Sequence, residues 1–373
     1  MGSYWLEEEA PAVPATRLRG EPEVVVVGGG VTGCSCALTL AAAGVRVRLL
    51  EARAIASGAS GRNGGFALRG GAMPYNAARR ELGAGLARHY WELTEQALAR
   101  LAALAGDAFV QTGSLRLAAD EGEREALRAE YDALVAEGFA AEWVDELPAP
   151  LDGLFHGAVV HPTDGSLRPA RWVRRLAMLA ADAGAEVREH ERAQSLESLG
   201  GAQVVVATDG YTGGLIPFLD ERVRPTRGQV LVTEPLVKML YPRPHYARHG
   251  FDYWQQLPDG RLVIGGQRDA SLDTEWTAAE ETTPAVQERI EALVETLVGV
   301  RPGVTHRWAG VWGASPDGRP LVGRVPALDG VWVAAGYSGH GNVIGFLAGD
   351  LVARAILGQG PPEPALFDPA RLV

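Results

Sequence analysis

Lysine is almost missing from this chain of 373 residues, because Lys238 is the only one among 35 basic residues and the rest are arginine. At most one position can therefore supply a lysine amine to any site. Cysteine is nearly as scarce. Cys34 and Cys36 are the only two, too close together on a predicted helix to form an ordinary disulfide. This usage is that of a reduced, intracellular protein, and a cytoplasmic location is expected. Positive charge is also short: the formal net charge is −11. Such a surface lacks the basic footprint that releases counterions from phosphates, so nucleic acid is not an expected partner. It is compatible with basic substrates such as amines, as well as with a plainly solvated acidic surface. No run reaches the roughly 18 apolar residues of a membrane span. The N-terminal stretch MGSYWLEEEAPAVPATRLRGEPE has no apolar core ahead of a cleavage site, so no signal peptide is expected. No metal site is expected either. His245 and His249 lie in a loop with Pro242, Pro244 and Gly250, where no nearby carboxylate or thiol completes a ligand set.

What is present is a globular balance of 47% apolar and 22% charged residues. The length suits two intertwined domains. The segment PEVVVVGGGVTGCSCALTLAAAGVRVRLLEA predicts a buried strand at Val24 to Val27, a tight turn at Gly28, a helix from Thr32 to Ala43, and a second strand from Val45 to Leu50. Its glycines form G-x-G-x-x-G at Gly28, Gly30 and Gly33, with Glu51 closing the second strand. In that pattern Gly28 makes the turn, Gly30 lets backbone approach a pyrophosphate, and Gly33 brings helix close to sheet. The phosphates then lie on the helix N-terminus, and Glu51 is placed to accept hydrogen bonds from a ribose. The bland alternative is a glycine turn in an α/β unit that binds nothing.

Six residues after Glu51 begins SGASGRNGG, which composition alone reads as a flexible linker. Amphipathic helices follow from about 76 to 105, then the strand-like VQTGSLRLA and a charged helix. The apolar QVVVATDGYTGGL predicts a return to the nucleotide-binding part. Residues 222 to 300 alternate as a second sheet and end in a helix from Pro284 to Val298. The turn GYSGHGN then opens a last apolar helix.

Taken in order, VVVVGGGVTG, SGASGRNGG, GSLRP, VVVATDGYT, RPTRGQ, WGASPDGRPLVGR and AAGYSGHGN resemble the D-amino-acid oxidase superfamily of FAD-dependent oxidoreductases over nearly the whole chain. SYWL together with GASGRNGGF is most similar to the γ-glutamylputrescine oxidase-like branch. The resemblance implies an α/β fold in which a Rossmann-like FAD-binding domain (1–80, 160–220 and 303–373) is interleaved with a mixed-sheet substrate domain (81–159 and 221–302). It implies oxidation of a small amine or amino acid by hydride transfer to flavin, giving an imine that water hydrolyses. Electrons then pass to oxygen or to a carrier.

FAD contacts implied at the first turn are Gly28, Gly30, Val31, Thr32 and Gly33, with Glu51, Ala52 and Arg53 after the second strand. Ser60, Gly61, Arg62, Asn63 and Gly64 are implied to lie along the flavin, and Ala207 and Thr208 to meet it from the returning strand. Gly313, Gly336, Gly339, His340, Gly341, Asn342 and Val343 complete the set, the last of them on a helix N-terminus aimed at the negative edge of reduced flavin.

Several departures narrow this picture. Relatives that bond flavin covalently do so through a cysteine or a histidine at places corresponding to Gly310 and Arg62, so non-covalent FAD is expected. Where relatives carry lysines near the flavin, this chain has Val263 and Val343. Loss of the first leaves oxidase and dehydrogenase both open. Loss of the second removes a partner for a substrate carboxylate and favours an amine or a larger substrate. Candidates for the substrate end are Tyr253, Trp254, Trp312, His340, Gln267 and Arg69, each with an alternative: core packing for the aromatics, a structural hydrogen bond for His340, a solvated side chain for Gln267, an exposed surface arginine for Arg69. Two rivals stand beside the oxidase: an FAD dehydrogenase for a D-amino or N-methyl amino acid, and a flavin-binding protein without turnover. The short link between Val187 and Val204 also predicts abbreviated elements on the adenine side.

Overall fold

A computed structural model of the chain describes residues 2–10, 12–14, 16–200 and 203–373; the remaining positions of the expected FAD-binding segments lie outside the described residues. Four consecutive valines, Val24–Val27, are buried on both faces and form the middle of a six-stranded sheet. Its order is Leu321–Arg324, Val331–Ala335, Gln203–Val206, Val24–Val27, Val47–Leu50, Glu186–Arg188. All neighbours are parallel except the first pair. A doubly covered parallel sheet needs apolar residues at every position, and QVVV and VWVAA supply them as VVVV does. The crossover helix runs Val31–Ala42, beginning one residue before the predicted start, and the second strand is shortened to Val47–Leu50.

The helix Val31–Ala42 packs against the last long helix, Gly341–Ile356, through small residues. A Cβ at Gly349 would lie 2.2 Å from the Thr32 carbonyl oxygen, so the two backbones touch where no larger residue fits.

The second sheet has eight strands in the order Val304–Ala314, Arg224–Thr233, Leu262–Gly266, Asp252–Gln256, His245–Ala247, Ser114–Leu117, Ala158–His161, Glu142–Val144. It is antiparallel except where His245–Ala247 runs parallel to Ser114–Leu117. The helix Pro284–Val298, found with its predicted bounds, covers one face with Val286, Ile290, Val294 and Leu297 against Leu231, Trp254, Leu262 and Ile264. The Val304–Ala314 strand, placed by sequence in the nucleotide-binding segment, pairs along Arg224–Thr233 in this sheet. Its far end carries Gly310, Trp312 and Gly313 toward the first sheet, which is how the two sheets come to share one cleft. Phe66–Ala67, Gly165–Leu167 and Phe109–Val110 form a small third sheet. Between Glu186–Arg188 and Gln203–Val206 the described residues hold only the 3-10 turn Glu197–Leu199, in keeping with the short link. No helix is long and apolar enough to cross a membrane among the described residues.

Candidate active site

A cavity of about 1150 Å³ opens between the two sheets. At one end lies the glycine turn. Gly28 has φ 112°, and a Cβ there would sit 2.6 Å from the Ala207 carbonyl oxygen. Gly33 does not line the cavity; it lets the helix close on the turn, since its Cβ would fall 1.9 Å from the Gly28 oxygen. Glu51 accepts hydrogen bonds from the backbone N–H groups of Gly29 (2.7 Å) and Arg53 (2.8 Å), holding the turn from beneath while its carboxylate still lines the cavity.

The stretch 57–65 is no linker. Ser60 Oγ accepts from the Val31 N–H at 3.0 Å, so this loop caps the helix Val31–Ala42. Arg62 donates to the carbonyls of Ser57 (2.7 Å) and Ala309 (3.2 Å), and its own carbonyl accepts from Trp308 Nε1 (2.8 Å). Asn63 and Asn342 exchange amide hydrogen bonds of 3.0 and 3.1 Å across the cavity floor. The SYWL motif explains itself here: Ser3 Oγ donates to the Gly61 carbonyl (2.9 Å), and buried Trp5 donates to that of Asn63 (2.8 Å). Gly61 is therefore buried support, out of reach of the cavity, while Ser60, Arg62, Asn63 and Gly64 line it.

The third approach comes from Asp209, which the sequence reading missed. Its carboxylate accepts from the N–H groups of Gly313 (2.8 Å) and Gly336 (2.7 Å), clamping three returning segments together. Burial raises its pKa against the lowering effect of those backbone donors. Gly313 and Gly336, expected at the cofactor, are thus clamp points away from the cavity wall. Gly339, His340, Gly341, Asn342 and Val343 do line it, at the N-terminus of Gly341–Ile356. Val31, Thr32, Ala52, Arg53, Ala207 and Thr208 line it as expected.

Glu280, from the 276–283 segment, reaches across the cleft mouth. It accepts from Arg53 Nη1 at 2.8 and 3.0 Å and from Tyr211 Oη at 2.5 Å, and lies 3.4 Å from Arg62 Nη2. Burial would raise this carboxyl, yet the hydrogen bonds from Arg53 and Tyr211 hold it below its ordinary value.

At the other end stand Tyr253, Trp312 and His340, joined by Tyr246, Phe66 and Arg268. Burial, with the Arg116 charge adding to it, pushes His340 down to about 4, so its imidazole is neutral near pH 7. Three expected residues are elsewhere. Trp254 is fully buried on the opposite face of its strand, stacked on His245 at 5.3 Å, because successive strand residues alternate faces. Gln267 has a left-handed backbone (φ 58°) and donates to Asp252 Oδ1 at 2.6 Å, turned from the cavity. Arg69 is not exposed and does not line this cavity. It is buried in the wall of an adjoining pocket of about 30 Å³ that shares Phe66, Leu68, Tyr246 and His340 with the cavity, paired with Glu95 and within 3.2 Å of His161 Nδ1.

The chain fits a flavin dinucleotide on its own geometry. Two long helices, Val31–Ala42 and Gly341–Ile356, present their N-termini to one cavity, where the positive ends of their dipoles favour negative charge. Residues 23–355 match the model of the FAD dependent oxidoreductase family, DAO. The chain belongs to this family. It is 26% identical to the probable oxidoreductase OrdL of Rhizobium meliloti, over 96% of this chain and 89% of that protein. It is 27% identical to γ-glutamylputrescine oxidoreductase of Escherichia coli, over 90% of this chain and 84% of the relative. Its fold is that of glycine oxidase from Geobacillus kaustophilus, with a TM-score of 0.75 at 23% identity, covering 91% of this chain and 95% of that one. Among the described residues of this family member, no group of three or more His, Cys, Asp or Glu side chains could hold a metal ion.

Proposed function

We propose that this chain oxidises the C–N bond of a small amine or amino acid, using FAD held without a covalent bond. The observation that carries the reading is a single cavity with glycine turns and helix N-termini at one end and an aromatic end holding a neutral imidazole at the other. Gly28, Gly30, Val31 and Ser60 would hold the pyrophosphate, Glu51 the ribose, and Gly64 and residues 339–343 the ring. FAD supplies a hydride acceptor; the donor is the carbon beside an unprotonated amine nitrogen, and the imine formed takes up water to give a carbonyl and free amine or ammonia.

The chain's residues prepare that step. Tyr253 and Trp312 wall the reacting end with apolar surface, which excludes water and favours the neutral amine. Neutral His340 places no positive charge beside the substrate nitrogen. The N-terminus of Gly341–Ile356, at the cavity wall, would favour negative charge on a group held against it.

Non-covalent binding is supported by Cys34 and Cys36 being fully buried away from the cavity and by Arg62 standing where some relatives link flavin. The six-stranded sheet with its helices forms the FAD-binding domain in this reading, and the eight-stranded sheet the substrate domain. A cytoplasmic location agrees with the unpaired cysteines. A dehydrogenase passing electrons to a carrier is the second reading, favoured by Val263 being buried in its strand and by Lys238 lying exposed on a loop, which leaves no lysine at the cavity.

Anaerobic addition of amines and amino acids to the flavin-loaded protein should bleach its visible absorption. Recovery on admitting air marks an oxidase, and no recovery marks a dehydrogenase. A flavin that no amine or amino acid bleaches would overturn the catalytic reading. Acid precipitation is expected to leave a colourless pellet, whereas a yellow one would contradict non-covalent attachment.

A further inference from the structure

Residues 276–283 form neither helix nor strand, and both ends of this arch are anchored on the strand Arg224–Thr233 of the eight-stranded sheet. At one end Glu275 takes two hydrogen bonds from Arg227, and the Arg224 guanidinium lies 3.9 Å from the Trp276 ring centroid. At the other, Gln229 accepts from the Thr283 N–H and donates to Thr283 Oγ1, each at 2.9 Å. Between these anchors Ala278, Ala279, Glu280 and Glu281 line the cavity.

The facing bank belongs to the six-stranded sheet. Arg53 follows its strand Val47–Leu50, and Tyr211 follows Gln203–Val206. The Arg53 guanidinium lies 5.3 Å from the Tyr211 ring centroid and donates to the Ser57 carbonyl at 3.1 Å, the same oxygen that Arg62 uses. These three side chains form a socket ordered by one loop, and Glu280 fills it. Its carboxylate takes 2.8 and 3.0 Å bonds from Arg53 and a 2.5 Å bond from Tyr211, with Arg62 Nη2 3.4 Å away. Among the described residues no other side chain of 276–283 pairs with this bank.

The tie is built to part. Glu280 and Arg53 keep side-chain exposures of 25% and 39%, so water can take over their bonds at modest cost. The loop 57–62 also serves both the socket and the site for phosphate. Ser60 caps the helix Val31–Ala42, where a diphosphate would rest, while a Cβ at Gly58 would come 3.3 Å from the Tyr211 ring.

We propose that Glu280 is a clasp over the flavin: the dinucleotide enters and leaves this cavity only while the 276–283 arch is parted from Arg53, Tyr211 and Arg62, so that one carboxylate sets the rate of cofactor exchange. Every bond of the clasp joins two groups of the chain itself, so the clasp holds the empty and the loaded chain alike. A contact common to both end states raises the barrier between them and leaves their free-energy difference nearly unchanged. Uptake and release are therefore slowed together. The clasp rests on the functional reading above only in taking FAD as a non-covalent ligand of this cavity, and its test needs no turnover.

Flavin-free protein is mixed with FAD, and loaded protein is diluted, while flavin fluorescence reports uptake and release. Glu280→Ala should speed both by about tenfold or more, with their ratio, the Kd, moving by less than about threefold. Glu280→Gln keeps an acceptor for Tyr211 and loses the ion pair, so it should fall between Glu280→Ala and the parent. Tyr211→Phe should speed both steps a few-fold. Glu288→Ala removes the same charge from an exposed position of the helix Pro284–Val298 and should match the parent. Flavin-free variants should melt with the parent, which separates a parted clasp from general loosening. Unchanged rates in Glu280→Ala overturn the clasp. So does faster release with unchanged uptake, which would make Glu280 a contact of bound flavin alone, and so does faster uptake alone, which would make it only a repelling charge. Should Glu280→Ala fail to fold, Glu280→Gln and Tyr211→Phe are held to the same criteria. A flavin that stays with the acid-precipitated chain overturns non-covalent attachment and the clasp together, whereas identical rates in a protein that frees its flavin on denaturation overturn the clasp alone.

Discussion

A Gly33→Ala variant will accumulate poorly and retain little flavin. The added methyl would lie 1.9 Å from the Gly28 oxygen and 3.3 Å from Leu49 Cδ1, and the nearer contact is backbone that a rotamer change cannot move. Either the helix Val31–Ala42 backs away from its sheet or the glycine turn is displaced. Overpacking of this kind costs about 1–3 kcal/mol, occasionally more. The helix has no easy retreat, because Gly349 presses on its other side at Thr32 and Cys36. Since 1.4 kcal/mol is about a tenfold change in binding, flavin affinity is expected to drop by about tenfold or more and flavin content per chain to fall with it, read as visible flavin absorbance against protein absorbance after gel filtration. Gly85→Ala is the control, because its Cβ meets nothing within 4 Å and it sits in the helix Ala84–Ala105. Full flavin content in Gly33→Ala would show that the turn tolerates what its geometry forbids.

Glu275→Ala should be the most destabilising single change outside the cavity. Glu275 is 1% exposed and takes two hydrogen bonds from Arg227, at 2.7 and 2.8 Å, and two more from Gln229. Removing the acid leaves the buried Arg227 charge uncompensated, which typically costs about 3–5 kcal/mol. Replacing both partners, as Arg227→Met with Glu275→Leu, should recover most of that loss, because a buried ion pair contributes little net stability over apolar side chains of similar size. Urea denaturation of the single and double variants decides the matter: a single variant within about 1 kcal/mol of the parent would mean that solvent reaches Arg227. The consequence extends to the cleft, since Gln229 also accepts from the Thr283 N–H and Arg227 donates to the Glu281 carbonyl. Both bonds anchor the segment that carries Glu280.

What was legible in the sequence was whatever one element specifies by itself. VVVV followed by spaced glycines dictates strand, turn and helix, and Pro284 at the start of an apolar-periodic run marks its helix to the residue. The site was legible where a glycine has a local job, as at Gly28 and Gly33. It was less so where partners converge from far along the chain. Arg69 looks like a surface arginine until Glu95 and His161, 26 and 92 residues away, arrive beside it. Asp209 and Glu280 act on segments tens to more than a hundred residues distant, which no local pattern announces. Tyr253 and Trp254 are neighbours on one strand, and the two-residue period of a strand already forbids both from facing one cavity. The same period points to Tyr246, the cross-strand partner of Tyr253. Arg268 lay beyond reach for another reason: its direction depends on the left-handed turn at Gln267, where an ordinary side chain adopts a rare backbone state.

The two cysteines lie wholly inside the helix Val31–Ala42, both at 0% exposure, and burial pushes both thiols far up from their ordinary pKa. An alkylating reagent needs a thiolate it can touch, so neither sulfur can react while this helix stays wedged between its sheet and Gly341–Ile356. Labelling then proceeds only as fast as the half built on the six-stranded sheet comes apart. The chain thereby contains a clock for that one event, with no competing thiol elsewhere to blur its reading.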